Sequence, residues 1–242
     1  MGVVERGPGW ELRLGRWQDV LSGVECDAVI TDPPYSSRTA RGQRSNEKNV
    51  GLEWSGGKRS TINYGHITDV DAEELVEMAA AAKWLCVFGD HICARWHEEK
   101  ALAAGRYAFA PIPWCKPDAA PRMANDGPPT SAEWLMVSRL RNKAAMAAIT
   151  KQPKGYYVVG THRDRADQVV TGGKPVLLMR QIVRSYSLPG DLIVDPYAGG
   201  ATTLLAAVIE GRKAIGAERD PETFAKAVKR LRRGWTPELF PE

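Results

Sequence analysis

Cysteine is scarce in this chain of 242 residues, and Cys26, Cys86, Cys93 and Cys115 show no paired spacing. That argues against a disulfide framework and against a zinc set, and the thiols read as reduced ones in a cytosolic protein. His91 lies near Cys93, but nothing beside them completes a set of ligands, so no metal is expected. No apolar run approaches the roughly 20 residues that cross a bilayer. The opening Met1-Gly2-Val3-Val4-Glu5-Arg6 has no signal-peptide character, so a cytoplasmic protein without a membrane partner is expected. Internal repeats and low-complexity tracts are lacking too. Charge of one sign does not dominate: 33 Lys and Arg against 29 Asp and Glu leave +4, which permits a nucleic-acid partner without requiring one. What is there is an ordinary globular composition, 43% hydrophobic and 26% charged. The length suits one sizeable α/β domain over residues 1–242 and is too short for two with linkers.

The chain is organised around Asp32-Pro33-Pro34-Tyr35. The β-branched run before it, Asp27-Ala28-Val29-Ile30-Thr31, predicts a short buried strand. Two successive prolines cannot donate to a sheet ladder, so the strand must stop at Asp32. Its tip then carries a carboxylate, free carbonyls and an aromatic ring, which suits a planar amino group and the ring that bears it. The plain alternative is a strand-ending turn with a capping Asp.

A second stretch, Gly190-Asp191-Leu192-Ile193-Val194-Asp195-Pro196-Tyr197-Ala198-Gly199-Gly200-Ala201-Thr202-Thr203, reads as a strand, a glycine-containing turn and the start of an apolar helix running to Ile209. Small residues there let a ligand approach backbone N–H groups at the helix start. About twenty residues further on, Ala214-Ile215-Gly216-Ala217-Glu218 puts an acidic residue at the end of the next strand, where dinucleotide-type folds hold ribose hydroxyls.

Together these stretches resemble the amino-methyltransferases of DNA, which use S-adenosylmethionine (AdoMet). Asp32-Pro33-Pro34-Tyr35 looks like that family's catalytic motif, and Asp195-Pro196-Tyr197-Ala198-Gly199-Gly200-Ala201-Thr202 like its Asp-Pro-Phe-x-Gly-x-Gly-Thr AdoMet motif. Lys174-Pro175 looks like the Lys-Pro element that closes the cofactor pocket, and Trp114-Cys115-Lys116 like an aromatic-x-Lys element beside the base. Catalytic motif first and cofactor motif last is the order of the permuted β class. The resemblance implies catalysis by Asp32, Pro33, Pro34 and Tyr35, and AdoMet held by Lys174, Asp195, Pro196, Tyr197, Gly199, Thr202 and Glu218. Ala201 stands where the family has its last glycine. Gly15-Arg16 stands where it often has Gly-Asp near the adenine of the cofactor, with Asp19 one turn on as the substitute. The class includes many dimers and partners of restriction endonucleases, so both remain open here.

Along the chain, alternation predicts a strand over 10–14 and a short helix over Trp17 to Leu21. Ser36 to His66 lacks periodicity and holds Arg38, Arg41, Arg44, Lys48, Lys58 and Arg59 against Glu47 and Glu53, which suits a basic flap over DNA phosphates or else a solvated loop. Helices are predicted over Asp69 to Ala82, capped by Asp69 or Asp71, and over Ile92 to Ala103; strands over Trp84 to Phe88, Tyr107 to Trp114 and Glu133 to Ser138. Residues 117–156, with five prolines and six basic side chains against three acidic ones, are the candidate DNA-recognition segment, or a decorated surface. From these segments Arg38, Arg41, Arg44, Lys58, Arg59, Lys116, Arg122, Arg141 and Lys143 are the candidate DNA contacts. The helix Pro175 to Tyr186 precedes the cofactor motif, and the last, Glu222 to Arg233, reads as a solvated face carrying Lys226, Lys229, Arg230, Arg232 and Arg233.

Strands alternating with helices predict an open, mostly parallel Rossmann-like sheet with helices on both faces and ligands at the carboxyl ends of its strands. The reaction implied is direct in-line transfer of the AdoMet methyl group to N6 of an adenine flipped out of double-stranded DNA. In the family, Asp at the first motif position goes mostly with adenine. Methylation of cytosine N4, of RNA or of a protein amide are the rivals in chemistry; a DNA-binding homologue with a dead cofactor site is the rival in class.

Overall fold

The computed structural model describes residues 2–37, 39, 65–119, 127–147, 153–161, 169–170 and 172–235. Its elements in chain order are β1 (Val4–Gly7), β2 (Trp10–Leu14), α1 (Trp17–Val20), β3 (Ala28–Thr31), α2 (Asp69–Met78), β4 (Trp84–Gly89), α3 (His91–Ala103), β5 (Tyr107–Ala108), β6 (Ile112–Cys115), β7 (Ala132–Arg139), α4 (Lys143–Ala147), β8 (Tyr157–Val158), α5 (Val176–Tyr186), β9 (Leu192–Asp195), α6 (Thr202–Ile209), β10 (Lys213–Glu218) and α7 (Pro221–Arg233). The strands lie in the order β1-β2-β10-β9-β3-β4-β7-β6-β8, with β5 paired to β7.

The strands β2, β10, β9, β3 and β4 are parallel to one another, while β1 and β7 run against their neighbours. The central strands read as unbroken apolar runs because helices cover both faces: every position of β3 and β4 is buried. Successive residues serve opposite cores. Ala28 and Ile30 pack with Leu178, Ile182, Leu204 and Phe224 of α5, α6 and α7, whereas Val29 packs with Trp17, Leu75 and Val76 of α1 and α2. The predicted fold class is therefore borne out, and it decides where the site lies. Chain direction through the sheet reverses between β3, which leads on to β4, and β9, which leads on to β10. A crevice opens at the carboxyl ends of strands at such a switch point.

Several elements differ from their sequence prediction. The strand expected over Tyr107 to Trp114 is split into β5 and β6: Phe109 N–H still reaches Val137 O at 2.9 Å, but Pro111 offers no donor. Helix α2 is capped by Thr68 rather than Asp69 or Asp71. Asp71 Oδ2 accepts Thr68 N–H at 2.7 Å while Thr68 Oγ1 accepts Asp71 N–H at 3.3 Å, a reciprocal capping box. Pro175 is the residue before α5 rather than its first turn. The short elements β1, α4 and β8 were too brief for a periodic signal. Among the described residues, no helix is long and apolar enough to cross a membrane.

Candidate active site

Strand β3 delivers Asp32 to the crevice and β9 delivers Asp195 beside it; Thr31 Oγ1 donates to Asp195 Oδ1 at 2.7 Å and ties the two tips together. The chain after Tyr35 is held by Asp90, at the end of β4. Its Oδ2 accepts from Ser36 Oγ at 2.5 Å and Thr39 Oγ1 at 2.6 Å, while its Oδ1 accepts from Ile92 N–H and Cys93 N–H, both at 3.0 Å, and so caps α3. Burial would raise this carboxyl, but the Ser36 and Thr39 hydroxyls and the Cys93 N–H hold it down to about 2.

Around Asp32 lies a charged cluster. Lys174 Nζ donates to Asp32 Oδ2 at 2.5 Å and lies 3.2 Å from Glu133 Oε2; Lys116 Nζ donates to Glu133 Oε1 at 2.5 Å; and Tyr35 donates its hydroxyl to Glu133. The rings of Tyr35, Phe88 and Trp114 surround the Lys174 ammonium at 5.3, 4.8 and 5.9 Å. Burial raises the Asp32 carboxyl despite the opposing Lys174 charge, with Glu133 adding to the rise. Burial would also raise Glu133, but Lys174 and Lys116 hold it down to about 2. For Lys174, burial acts to lower and the two carboxylates raise, and the net shift is upward. Burial, Asp32 and Glu133 drive the Tyr35 phenol well up, so it stays a donor. One oxygen stands out: Asp32 Oδ1 is buried and has no hydrogen-bond partner among the described residues.

On the other side of the crevice, the turn 195–201 leads into α6. Gly200 is needed for close approach, since a Cβ there would come within 2.6 Å of Val169 Cγ2. Ala201 keeps the left-handed backbone that its glycine counterpart would adopt freely, at φ 59° and ψ 32°. The strain of about 1 kcal/mol is opposed by full burial of its methyl group and by Ala201 N–H donating to Ala198 O at 2.7 Å. Arg230 of α7 braces this turn from behind, with Nη1 donating to Gly200 O at 2.8 Å and Thr202 Oγ1 at 2.7 Å. Only 3% exposed, it is no part of a solvated face as its neighbours Lys226, Lys229, Arg232 and Arg233 are. Burial pushes Asp195 up to about 6, against the Thr203 and Thr31 hydroxyls and the Tyr197 N–H. Glu218 is also raised by burial, with the Asp220 N–H opposing.

The motif residues meet in one cleft of about 600 Å³, lined by the tetrapeptide 32–35, Lys174, the stretch 195–200, Thr202 and Glu218. Several placements differ from expectation. Lys174 turns its ammonium to Asp32 and Glu133 instead of to the turn 195–201. Lys116 is committed to Glu133. Gly15, Arg16, Trp17 and Gln18 line the cleft, whereas Asp19 is exposed outside it. Arg141 and Lys143 are not brought to the site: Arg141 Nε donates to Arg106 O at 3.3 Å beside Leu140, which pairs with Lys83 at the start of β4. That is the far end of a six-residue strand, about 15–20 Å from the cleft. Arg38, Arg41, Arg44, Lys58, Arg59 and Arg122 lie outside the described residues.

Sequence reasoning missed Asp90, Glu133 and Arg230. Asp90 was within reach, because it follows a parallel strand just as Asp32 does. Glu133 was not, because β7 is antiparallel and brings its first residues, not its last, to the crevice. Burial pushes the Cys26 and Cys93 thiols up to about 12, away from the thiolate form.

A parallel-sheet crevice with an acidic strand tip beside a glycine-containing turn defines a nucleotide-type α/β enzyme site. The chain belongs to the DNA methylase family of N6 and N4 amino-methyltransferases, whose model matches residues 26–229. The DNA adenine methyltransferase YhdJ of Escherichia coli (strain K12) is 34% identical over 79 residues, 33% of this chain and 25% of that one. The type II methyltransferase M.Cfr9I of Citrobacter freundii is 28% identical over 149 residues, 52% of this chain and 45% of that one. The chain thus spans less than half the length of these two relatives. Among solved structures, the M1.HpyAVI–SAM complex superposes with a TM-score of 0.68 at 19% identity, over 92% of this chain and 98% of that one; at that identity it is the fold that is shared.

Proposed function

We propose that this protein transfers the methyl group of AdoMet to N6 of an adenine flipped out of double-stranded DNA. The observation that carries the reading is Asp32, whose buried Oδ1 has no hydrogen-bond partner among the described residues and which lines the same cleft as the turn 195–200 and Glu218. An exocyclic amino nitrogen is a poor nucleophile because its lone pair is delocalised into the ring. Asp32 Oδ1 and the Pro33 carbonyl accept its two N–H groups and draw that lone pair out towards the methyl donor. Lys174 neutralises the other oxygen of Asp32 and favours its ionised, accepting form. Tyr35 stacks on the extruded base.

The residues fit the cofactor. Glu218 ends a parallel strand where ribose hydroxyls are held, and Gly199, with room where a side chain would stand, lets a ligand approach the backbone of the turn. Tyr197 and Trp17, with ring centroids 6.3 Å apart, line the same cleft and would offer aromatic faces to the cofactor. AdoMet supplies a methyl group on a positively charged sulfonium, with a neutral thioether as leaving group. The proton displaced from the amino group passes to Asp32 or to water.

Adenine is favoured over cytosine by Asp32 at the first motif position, by the larger face a purine offers Tyr35, and by the relative named as an adenine methyltransferase. Nucleoside mass spectrometry after reaction with unmethylated DNA is the test. N6-methyladenine is the expected product, and N4-methylcytosine alone would reverse the choice of base while leaving the fold standing.

Arg230 offers a separate check on the cofactor side. Arg230→Met removes a charged donor from Gly200 O and Thr202 Oγ1 and is expected to destabilise the fold by about 1.5–3 kcal/mol and to weaken AdoMet binding. Arg230→Lys should recover part of both, read by urea denaturation and titration calorimetry. Unchanged AdoMet affinity in the Met variant would show that the turn does not need its brace.

A further inference from the structure

Glu133 has no part in the reaction as described, yet it touches three groups at the site: the Tyr35 hydroxyl, Lys174 Nζ at 3.2 Å and Lys116 Nζ at 2.5 Å. A purely structural reading would have it pin the start of β7 to the sheet. That strand is already paired with β4 from Trp84↔Arg139 to Gly89↔Trp134 and with β6 from Ile112↔Leu135 to Cys115↔Ala132. A buried carboxylate is a costly way to add to such a ladder. Its contacts instead converge on the two groups that meet the base. Tyr35 follows two prolines, and its phenol is held at Glu133; Lys174 spans from Glu133 to Asp32 Oδ2. With the ring tethered at its hydroxyl and the carboxylate tethered at Oδ2, the stacking face and Asp32 Oδ1 keep one mutual geometry.

We propose that Glu133 is a positioning residue for methyl transfer, acting through the Tyr35 hydroxyl and the Lys174 ammonium to hold the stacking ring and the accepting oxygen of Asp32 in register. This rests on the reading of Asp32 and Tyr35 as the pair that binds the base.

The test compares Glu133→Gln with Glu133→Ala in the full chain. The glutamine carbonyl still accepts from Tyr35 but no longer balances Lys174 and Lys116. On unmethylated DNA, kcat is expected to fall about tenfold in the Gln variant and about a hundredfold in the Ala variant, the loss that misplacement by about an ångström brings. The AdoMet dissociation constant should stay within about twofold, because the groups Glu133 touches are Tyr35, Lys174 and Lys116 and not the turn 195–201. The pH profile separates positioning from scaffolding. Asp32 is faced by Lys174, Tyr35, Glu133 and Asp195. Removing the Glu133 charge takes away a field that opposes Asp32 ionisation, so the acid limb of kcat/KM should move to lower pH in the Gln variant. Crystal structures should show Tyr35 in place with Gln and turned away with Ala. A kcat lost equally at every pH with the limb unmoved, or Tyr35 and Lys174 undisturbed in the Ala variant, would overturn the proposal. Should the wild-type chain methylate no DNA, the function proposed above fails, and the two crystal structures still decide whether Glu133 holds Tyr35 and Lys174.

Discussion

Asp32→Ala is expected to lower methyl transfer by about a hundredfold to a thousandfold, the scale seen when one preorganised hydrogen-bonding group is removed from a developing charge. AdoMet affinity should stay within about tenfold, because the carboxylate is tied to Lys174 rather than to the backbone of the turn 195–201. Asp32→Asn sharpens the result. The amide keeps the shape but has lost the charge that Lys174 balances. If its NH2 group takes the Oδ1 place, it presents donors to an amino group that is itself a donor. Transfer of a labelled methyl group to unmethylated DNA measures the rate, and calorimetry measures the affinity. Turnover retained in both variants would remove Asp32 from the reaction.

Lys174→Met should have the largest effect on stability. The ammonium is 5% exposed and lies between two carboxylates, 2.5 Å from Asp32 and 3.2 Å from Glu133. Removing the shared cation from such a site costs about 3–5 kcal/mol at neutral pH, because two anions are left buried together. The sign with pH follows from the shifts. The Asp32 carboxyl is already raised by burial with Lys174 opposing, so losing Lys174 raises it further. A group raised in the folded state binds more protons there than in the unfolded chain, so stability rises as pH falls through that raised value. The variant should therefore recover stability towards mildly acidic pH, narrowing its gap to the wild type, while the acid limb of its residual activity moves to higher pH. Urea denaturation at two pH values and a rate profile read both. A gap that stays constant with pH would mean that Asp32 does not carry the unbalanced charge.

Those two side chains also mark what a reader of the sequence could reach. Asp32, Asp195 and Glu218 each end a β-branched or apolar run, and in a parallel sheet the ends of such runs face one crevice. Local order therefore placed three acidic groups at one site although they are far apart in the chain. The prolines at 33 and 34 stopped β3 where predicted, and the turn through Gly199 and Gly200 leads along the cleft into the start of α6.

Lys174 was legible as part of the site but not in its role, since its sequence neighbours say nothing of which side the ammonium takes. The three-dimensional arrangement sends it across the cleft to Asp32, 142 residues away. Arg230 looked like one more basic residue on a helix whose neighbours are exposed. The rotation of α7 against β1, β2 and β10 buries that position behind Gly200. Glu133 is the sharpest case. On a parallel strand its place near the amino end would lie at the base of the sheet, far from any ligand. Because β7 runs the other way against β4, the same residue arrives beside Tyr35. Strand periodicity fixes which residues share a face, but strand direction is set by long-range pairing, and that pairing alone brought Glu133 to the cleft and carried Arg141 and Lys143 to the opposite end.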